Sequence, residues 1–262
     1  MQVAGAAHET ISIAWELTIT ARKLFLAGAT GAAGKRLIPL LLGAGYEVFG
    51  STRSSAKAAE LAALGVVPAV LDVFDAPELA LQMTSIRPEI VVHQLTDLPH
   101  GLTPALMGEA VTLNARIRKE GTRNLVAAAL GAGSRTLVAQ SIAWAYAPGA
   151  EPHREDDPLD VAAEGARAIT VAGVVALERA VLESPPLRGI VLRYGQFYGH
   201  GTGIEAAGGS SPLHIDAAAS AVLLAIEKGE AGIYNVAEPN EKVSVEKARR
   251  ELGWDAGFRI DV

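Results

Sequence analysis

Gly28, Gly31 and Gly34 stand three residues apart in the run Lys23-Leu-Phe-Leu-Ala-Gly-Ala-Thr-Gly-Ala-Ala-Gly34. A short apolar stretch, Leu24 to Ala27, precedes them, and a helical pattern carrying Leu37, Ile38, Leu40, Leu41 and Leu42 follows. Strand, glycine turn and helix in that order make an anion site. Glycine lets the main chain bend tightly and lets a phosphate approach it with no Cβ in the way. The first N–H groups of the helix have no internal partner, so they can bind the anion. The pattern predicts that Gly28, Thr30, Gly31, Ala32, Ala33 and Gly34 hold the pyrophosphate of a dinucleotide.

The end of the next strand tests which dinucleotide. An acidic residue there would bind both hydroxyls of an NAD ribose and repel a 2′-phosphate. The chain instead reads Gly50-Ser-Thr-Arg-Ser54. Arg53 can fork onto a phosphate and stack on adenine, and Ser51, Thr52 and Ser54 can donate hydrogen bonds. The residues favour NADP over NAD.

These residues need a parallel sheet to position them. Strands are predicted at Leu24–Ala27, Glu47–Ser51, Val66–Leu71, Ile90–Gln94, Thr136–Gln140 and Gly189–Arg193. Helical patterns lie at Lys35–Gly43, Ser55–Leu64, Pro77–Ser85, Thr112–Leu130 and Ala166–Leu182. Strand–helix alternation predicts an α/β fold, a Rossmann-type doubly wound parallel sheet with ligands at the carboxyl ends of its strands. After Arg193 the alternation weakens. Gly195 to Pro212 reads as a glycine-rich loop, Ile215–Ile226 as a helix, Gly232–Val236 as a strand, and Ser244–Leu252 as a last helix with Ser244 as N-cap and Gly253 as stop. The predicted organisation is an extension at 1–22, a dinucleotide-binding domain at 23–193 and a shortened α+β substrate region at 194–262. Within the extension, Ile11–Ile19 alternates partly and reads as a strand or a helix.

Composition narrows the function. The 262 residues are 50% hydrophobic, carry a net charge of −6 and contain no cysteine, and mean hydropathy is +0.25. The acidic balance argues against a general nucleic-acid partner. No apolar run reaches a membrane span. Without cysteine there is no disulfide, thiol catalysis or thiolate metal site, and a cytoplasmic protein fits best. No His or carboxylate pair shows metal-ligand spacing.

Several motifs together resemble the extended short-chain dehydrogenase/reductase family, the NAD(P)-dependent epimerase/dehydratase group. They are the glycine run, Leu71-Asp-Val73, Val91-Val-His-Gln-Leu-Thr96, Gly121-Thr-Arg-Asn-Leu-Val-Ala-Ala-Ala129, Leu192-Arg-Tyr-Gly-Gln-Phe-Tyr-Gly199, His214-Ile-Asp216, Gly232-Ile-Tyr-Asn-Val236 and Glu246-Lys-Ala-Arg-Arg-Glu-Leu-Gly-Trp254. The resemblance implies that Asp72 and Val73 contact adenine and that Gln94, Leu95 and Thr96 lie along the cofactor. It implies a small-molecule substrate. A homodimer through the helices near 112–130 and 166–182 would be typical of that family.

The family's chemistry uses a Ser/Thr, a Tyr, and a Lys four residues after the Tyr. Ser141, in Val138-Ala-Gln-Ser-Ile-Ala-Trp144, matches the first. Anchored on Glu178, the helix places Thr170 at the Tyr position and Val174 at the Lys position, and no Tyr or Lys occurs between Glu155 and Ser184. The candidate catalytic hydroxyls are therefore Ser141, Tyr146 and Thr170. Arg118 stands where the family often has Asn. Tyr194 and Tyr198 read as packing or pocket-wall residues, His93 as a satisfied strand residue, and His214 as orienting a loop with Asp216. Two functions follow: an oxidoreductase, epimerase or dehydratase that works without the Tyr–Lys pair, or a non-catalytic NADP-binding sensor. A structural relic is a third.

Overall fold

The computed structural model describes residues 21–98 and 107–260. All but the last two residues of the expected extension at 1–22, including the element suggested for Ile11–Ile19, lie outside the described residues. Seven parallel strands form one sheet in the order β3-β2-β1-β4-β5-β6-β9. They are β1 (Lys23–Ala27), β2 (Glu47–Thr52), β3 (Val67–Val70), β4 (Ile90–His93), β5 (Thr136–Ile142), β6 (Arg188–Tyr194) and β9 (Gly232–Val236). The helices are α1 (Ala32–Gly43), α2 (Ser55–Ala63), α3 (Ala76–Ile86), α4 (Met107–Arg116), α5 (Thr122–Gly131), α6 (Gly165–Leu182) and α7 (Ile215–Lys228).

Alternation along the strands explains the layers, because successive side chains leave opposite faces. Leu24, Leu26, Ile90, Val92, Ile190 and Leu192 pack with Leu37, Leu41 and Val222 of α1 and α7. Phe25, Ala27, Val91, Leu137 and Val191 pack with Leu79, Leu125 and Leu177 of α3, α5 and α6. Both faces are covered, which is why the strands are apolar throughout. Strand order reverses between β1 and β4, so a crevice opens at their carboxyl ends, above Gly28 and Gln94. No helix among the described residues is long and apolar enough to cross a membrane.

Three local differences from expectation have physical causes. The segment expected as a loop contains β7 (Gln196–Tyr198) paired in parallel with β8 (Pro212–His214). Gln196 Oε1 fastens this pair by accepting from the N–H and the hydroxyl of Ser211, both at 3.0 Å. The last helix is shorter than predicted and includes a π-helical turn at Ala248–Leu252, while Gly253 ends it at φ 67° as expected. The long helix around Thr112–Leu130 is interrupted by a second π-helical turn at Ile117–Gly121. That turn adds a residue and re-aims the side chains it carries, a feature frequent at functional sites.

Candidate functional site

The glycine turn is built as a cradle. Gly28 has φ +89°, and a Cβ on it would lie 2.6 Å from the carbonyl oxygen of Gln94 at the end of β4. A Cβ on Gly34 would overlap the carbonyl oxygen of Gly28. Gly31 is the N-cap of α1, with no side-chain cap and no acidic residue in the first turn. The open N–H groups and the positive end of the helix therefore face the crevice. Ser51 lies beneath the turn, its Oγ accepting from the Gly28 N–H at 3.3 Å. Gly31 is exposed, and Thr30, Ala32 and Ala33 are half-buried.

Beside the cradle, β2 ends without a carboxylate. Thr52 Oγ1 accepts from the Ser54 N–H, and Ser54 caps α2 by accepting from the Lys57 N–H at 3.4 Å. The guanidinium of Arg53 is exposed, with Nη2 3.4 Å from Asp97. Arg53, Thr52, Ser54 and the start of α2 converge on one patch. Asp72 turns the chain after β3 by accepting from the Phe74 N–H at 3.0 Å. Val73 is fastened to α5 through Asn124, which donates to its carbonyl at 3.0 Å.

Three residues after β4 were expected along the cofactor. The Leu95 N–H donates to His93 Nδ1 at 3.2 Å, and Thr96 is exposed. Gln94 is 5% exposed. Its Nε2 lies 3.4 Å from the Tyr194 hydroxyl, while its Oε1 has no partner among the described residues. A buried acceptor without a partner is rare and marks this position as unusual. His93 is fully buried, with Nε2 2.9 Å from the Thr122 hydroxyl. Burial first, and then Arg118, lowers its pKa to about 4, so the ring is neutral at pH 7.

The expected catalytic hydroxyls are placed as follows. Ser141, Arg193 and Asn235 stand in register on β5, β6 and β9. Ser141 Oγ donates to Glu178 Oε1 at 2.8 Å. Arg193 grips the same carboxylate through Nε at 2.9 Å and Nη2 at 2.7 Å. Burial opposes the Arg193 charge, but the hydrogen bonds and charge of Glu178 more than offset it and raise its pKa. Tyr146 lies under the Arg193 guanidinium and donates to Asn235 Oδ1 at 2.7 Å. Burial raises its pKa. Thr170 Oγ1 donates to the Ala166 carbonyl at 3.1 Å within α6. Val174 is fully buried with Ile142, Ala145 and Val171.

Ser141 and Tyr146 thus belong to one buried network, and Thr170 does not join it. Sequence reasoning used Glu178 as an anchor but missed its partnership with Arg193. The signal was there: the one carboxylate within α6 and an arginine next to the carboxyl end of the apolar β6. His214 caps α7 by accepting from the Asp216 N–H at 3.2 Å, and Arg36 of α1 clasps the Asp216 carboxylate.

The cradle and the uncapped helix fit a dinucleotide, and known proteins agree. The family model for the NAD dependent epimerase/dehydratase family matches residues 24–212. A 3-diazoavenalumate denitrifying reductase from Streptomyces sp is 40% identical over 237 residues, covering 82% of this chain and 76% of that protein. Among solved structures, Candida albicans Gre2 in complex with NADPH superposes with a TM-score of 0.74 at 14% identity, covering 89% of this chain and 94% of the other. Bordetella bronchiseptica WbmG in complex with NAD gives 0.71 at 18% identity, covering 94% and 92%. These two likenesses show the shared fold. The residues between β1 and β8, with the crevice they enclose, therefore place the chain in the NAD dependent epimerase/dehydratase family as an NAD(P)-dependent oxidoreductase or epimerase.

Proposed function

We propose that the chain is an NADP-dependent reductase that delivers hydride to an electrophile whose reduction needs no tyrosine–lysine acid, and that diazo compounds are that substrate class. The carrying observation is the catalytic helix: α6 offers Thr170 bonded to its own backbone and Val174 in an apolar cluster, beside a serine committed to Glu178. Reduction of a carbonyl creates an alkoxide that must be protonated, so loss of the acid slows it by about 10²–10⁴. An arenediazonium differs. The C–N bond breaks, a C–H bond forms with the hydride pair, and N₂ leaves, so the balance contains no proton. The kinship with a denitrifying reductase supports this class.

The bound dinucleotide would supply the hydride. The chain's own residues do the rest: Gly28, Gly31, Gly34 and the N-terminus of α1 bind the pyrophosphate, and Ser51 supports the turn. Asp72 and Val73 border the adenine side. Tyr194, Leu213 and Ala218 fill the space beneath, all buried, and so keep water from below the crevice.

The test combines NADPH oxidation with N₂ release, using 3-diazo-4-hydroxybenzoate and a panel of aldehydes and ketones. Equal amounts of NADP and N₂ are expected, with deuterium from 4-deuterated NADPH appearing on the ring carbon. Turnover of carbonyls but not of the diazo compound would overturn the proposal. The choice of NADP rests on Arg53, Thr52 and Ser54. Arg53→Ala is expected to weaken NADPH binding about 10–100-fold, the loss of one hydrogen-bonded charge pair, with NADH binding unchanged. Equal weakening of both cofactors in fluorescence titrations would rule out a 2′-phosphate contact.

A further inference from the structure

Arg118 sits in the π-helical turn between α4 and α5 and is 9% exposed. Its stem crosses the neighbouring helix at Gly173: a Cβ there would lie 3.4 Å from Arg118 Cδ and 3.2 Å from Ala115 Cα. Glycine keeps this crossing of α4 and α6 close, since a Cβ would fit only if Ala115 or the arginine stem gave way by a few tenths of an ångström. Gly173 adjoins Val174, so the guanidinium is carried in from the next helix to the neighbourhood where the lysine is missing.

That guanidinium has no hydrogen bond or ion pair among the described residues, and the stretch 99–106 leading into α4 contains no Asp or Glu. Its charged neighbour is Glu178, whose two oxygens are taken by Arg193 and Ser141. His93, also close, is neutral. Two largely buried guanidiniums therefore face one carboxylate among the described residues, which leaves an excess of positive charge there. Burial lowers the Arg118 pKa to about 10, opposed by Glu178, so it remains cationic at neutral pH. A largely buried cation is costly unless an anion lies close to it. The pyrophosphate is provided for elsewhere, at the N-terminus of α1.

We propose that Arg118 is the anion-binding residue of the substrate cleft and takes an anionic oxygen, carboxylate or phenolate, of a small aromatic substrate. It rests on the reductase reading for its place beside the hydride acceptor. A planar guanidinium suits such an oxygen because it offers paired donors and keeps its charge.

The experiment measures binding to the NADP-loaded protein by calorimetry, with benzoate, 4-nitrophenolate and benzamide as probes. The wild type is expected to bind at least one of the anions ten times or more tightly than benzamide, and which anion wins identifies the source of the oxygen. Arg118→Gln should bring the preferred anion to the benzamide level, Arg118→Lys should keep part of the preference, and NADPH affinity should stay within twofold. The cofactor-free Arg118→Gln protein should melt no lower than wild type, because it loses a largely buried charge with no ion pair among the described residues. No anion preference in the wild type, or a preference that survives Arg118→Gln, overturns the proposal. So does a tenfold loss of NADPH affinity in that variant, which would make Arg118 a cofactor ligand. No diazo compound enters these assays, so failure of the diazo reaction with the anion preference intact refutes that substrate class alone.

Discussion

Gly28→Ala is expected to abolish measurable NADPH binding and to destabilise the fold by about 2–3 kcal/mol. Two effects add. The residue sits at φ +89°, where an L side chain is strained. Its new Cβ would also press to 2.6 Å from a main-chain oxygen of Gln94, and β4 cannot yield because it pairs with β1 and β5 on its two sides. Gly34→Ala should behave alike, since its Cβ meets the backbone of Gly28 and Ala29. Gly31→Ala is the control. Its φ of −75° is ordinary, and its Cβ would make only a 3.4 Å contact with Gly28 O. It should keep wild-type stability while still weakening NADPH binding, because its Cβ would intrude on the space that the exposed turn leaves for a phosphate. Urea denaturation and NADPH fluorescence titration read the two effects separately. A Gly28→Ala protein that binds NADPH normally would refute the cradle.

The second large effect is expected at Glu178. Glu178→Gln should cost about 3–5 kcal/mol, the usual loss when one member of a buried ion pair is removed. For a chain of this size that corresponds to a melting temperature lowered by roughly 10 °C. Arg193 would lose its counter-charge at 3% side-chain exposure, Ser141 would lose a charged acceptor, and Arg118 would lose its nearest negative neighbour. The double variant Glu178→Met, Arg193→Met should recover most of the loss, since apolar replacement of a buried pair is often neutral. Chemical denaturation of Glu178→Met, Arg193→Met and the double variant gives the coupling. A Glu178→Gln protein within about 1 kcal/mol of wild type would show that the pair does not hold the sheet end together.

Much of this was legible before any coordinates. The glycine spacing required a strand before it and a helix after it, and β1 and α1 are there. The absence of a carboxylate after β2 is a fact of four consecutive residues, and the local turn keeps them together. The loss of Tyr and Lys from α6 holds in any register, because neither residue type occurs between Glu155 and Ser184. Local chemistry carries such conclusions, since neighbours in sequence remain neighbours in space.

Other features arise only when distant segments meet. The β7–β8 pair joins segments that look like loop because its hydrogen bonds cross a glycine-rich span with no apolar alternation to announce it. Ser141, in sequence a candidate for substrate contact, is turned to Glu178, which lies 37 residues away. That choice depends on strand register and on the packing of α6, neither of which a motif contains. Arg118 in sequence is an irregular residue at an Asn position. Its lack of an ion pair among the described residues appears once the π-helical turn carries it past Gly173 and Arg193 claims Glu178. The sequence by itself determined the fold class, the glycine turn between β1 and α1, and the absence of tyrosine and lysine from α6. Tertiary structure alone decided which charges are satisfied and which is left open, because charge balance in a desolvated interior depends on every group within a few ångströms, wherever it lies along the chain.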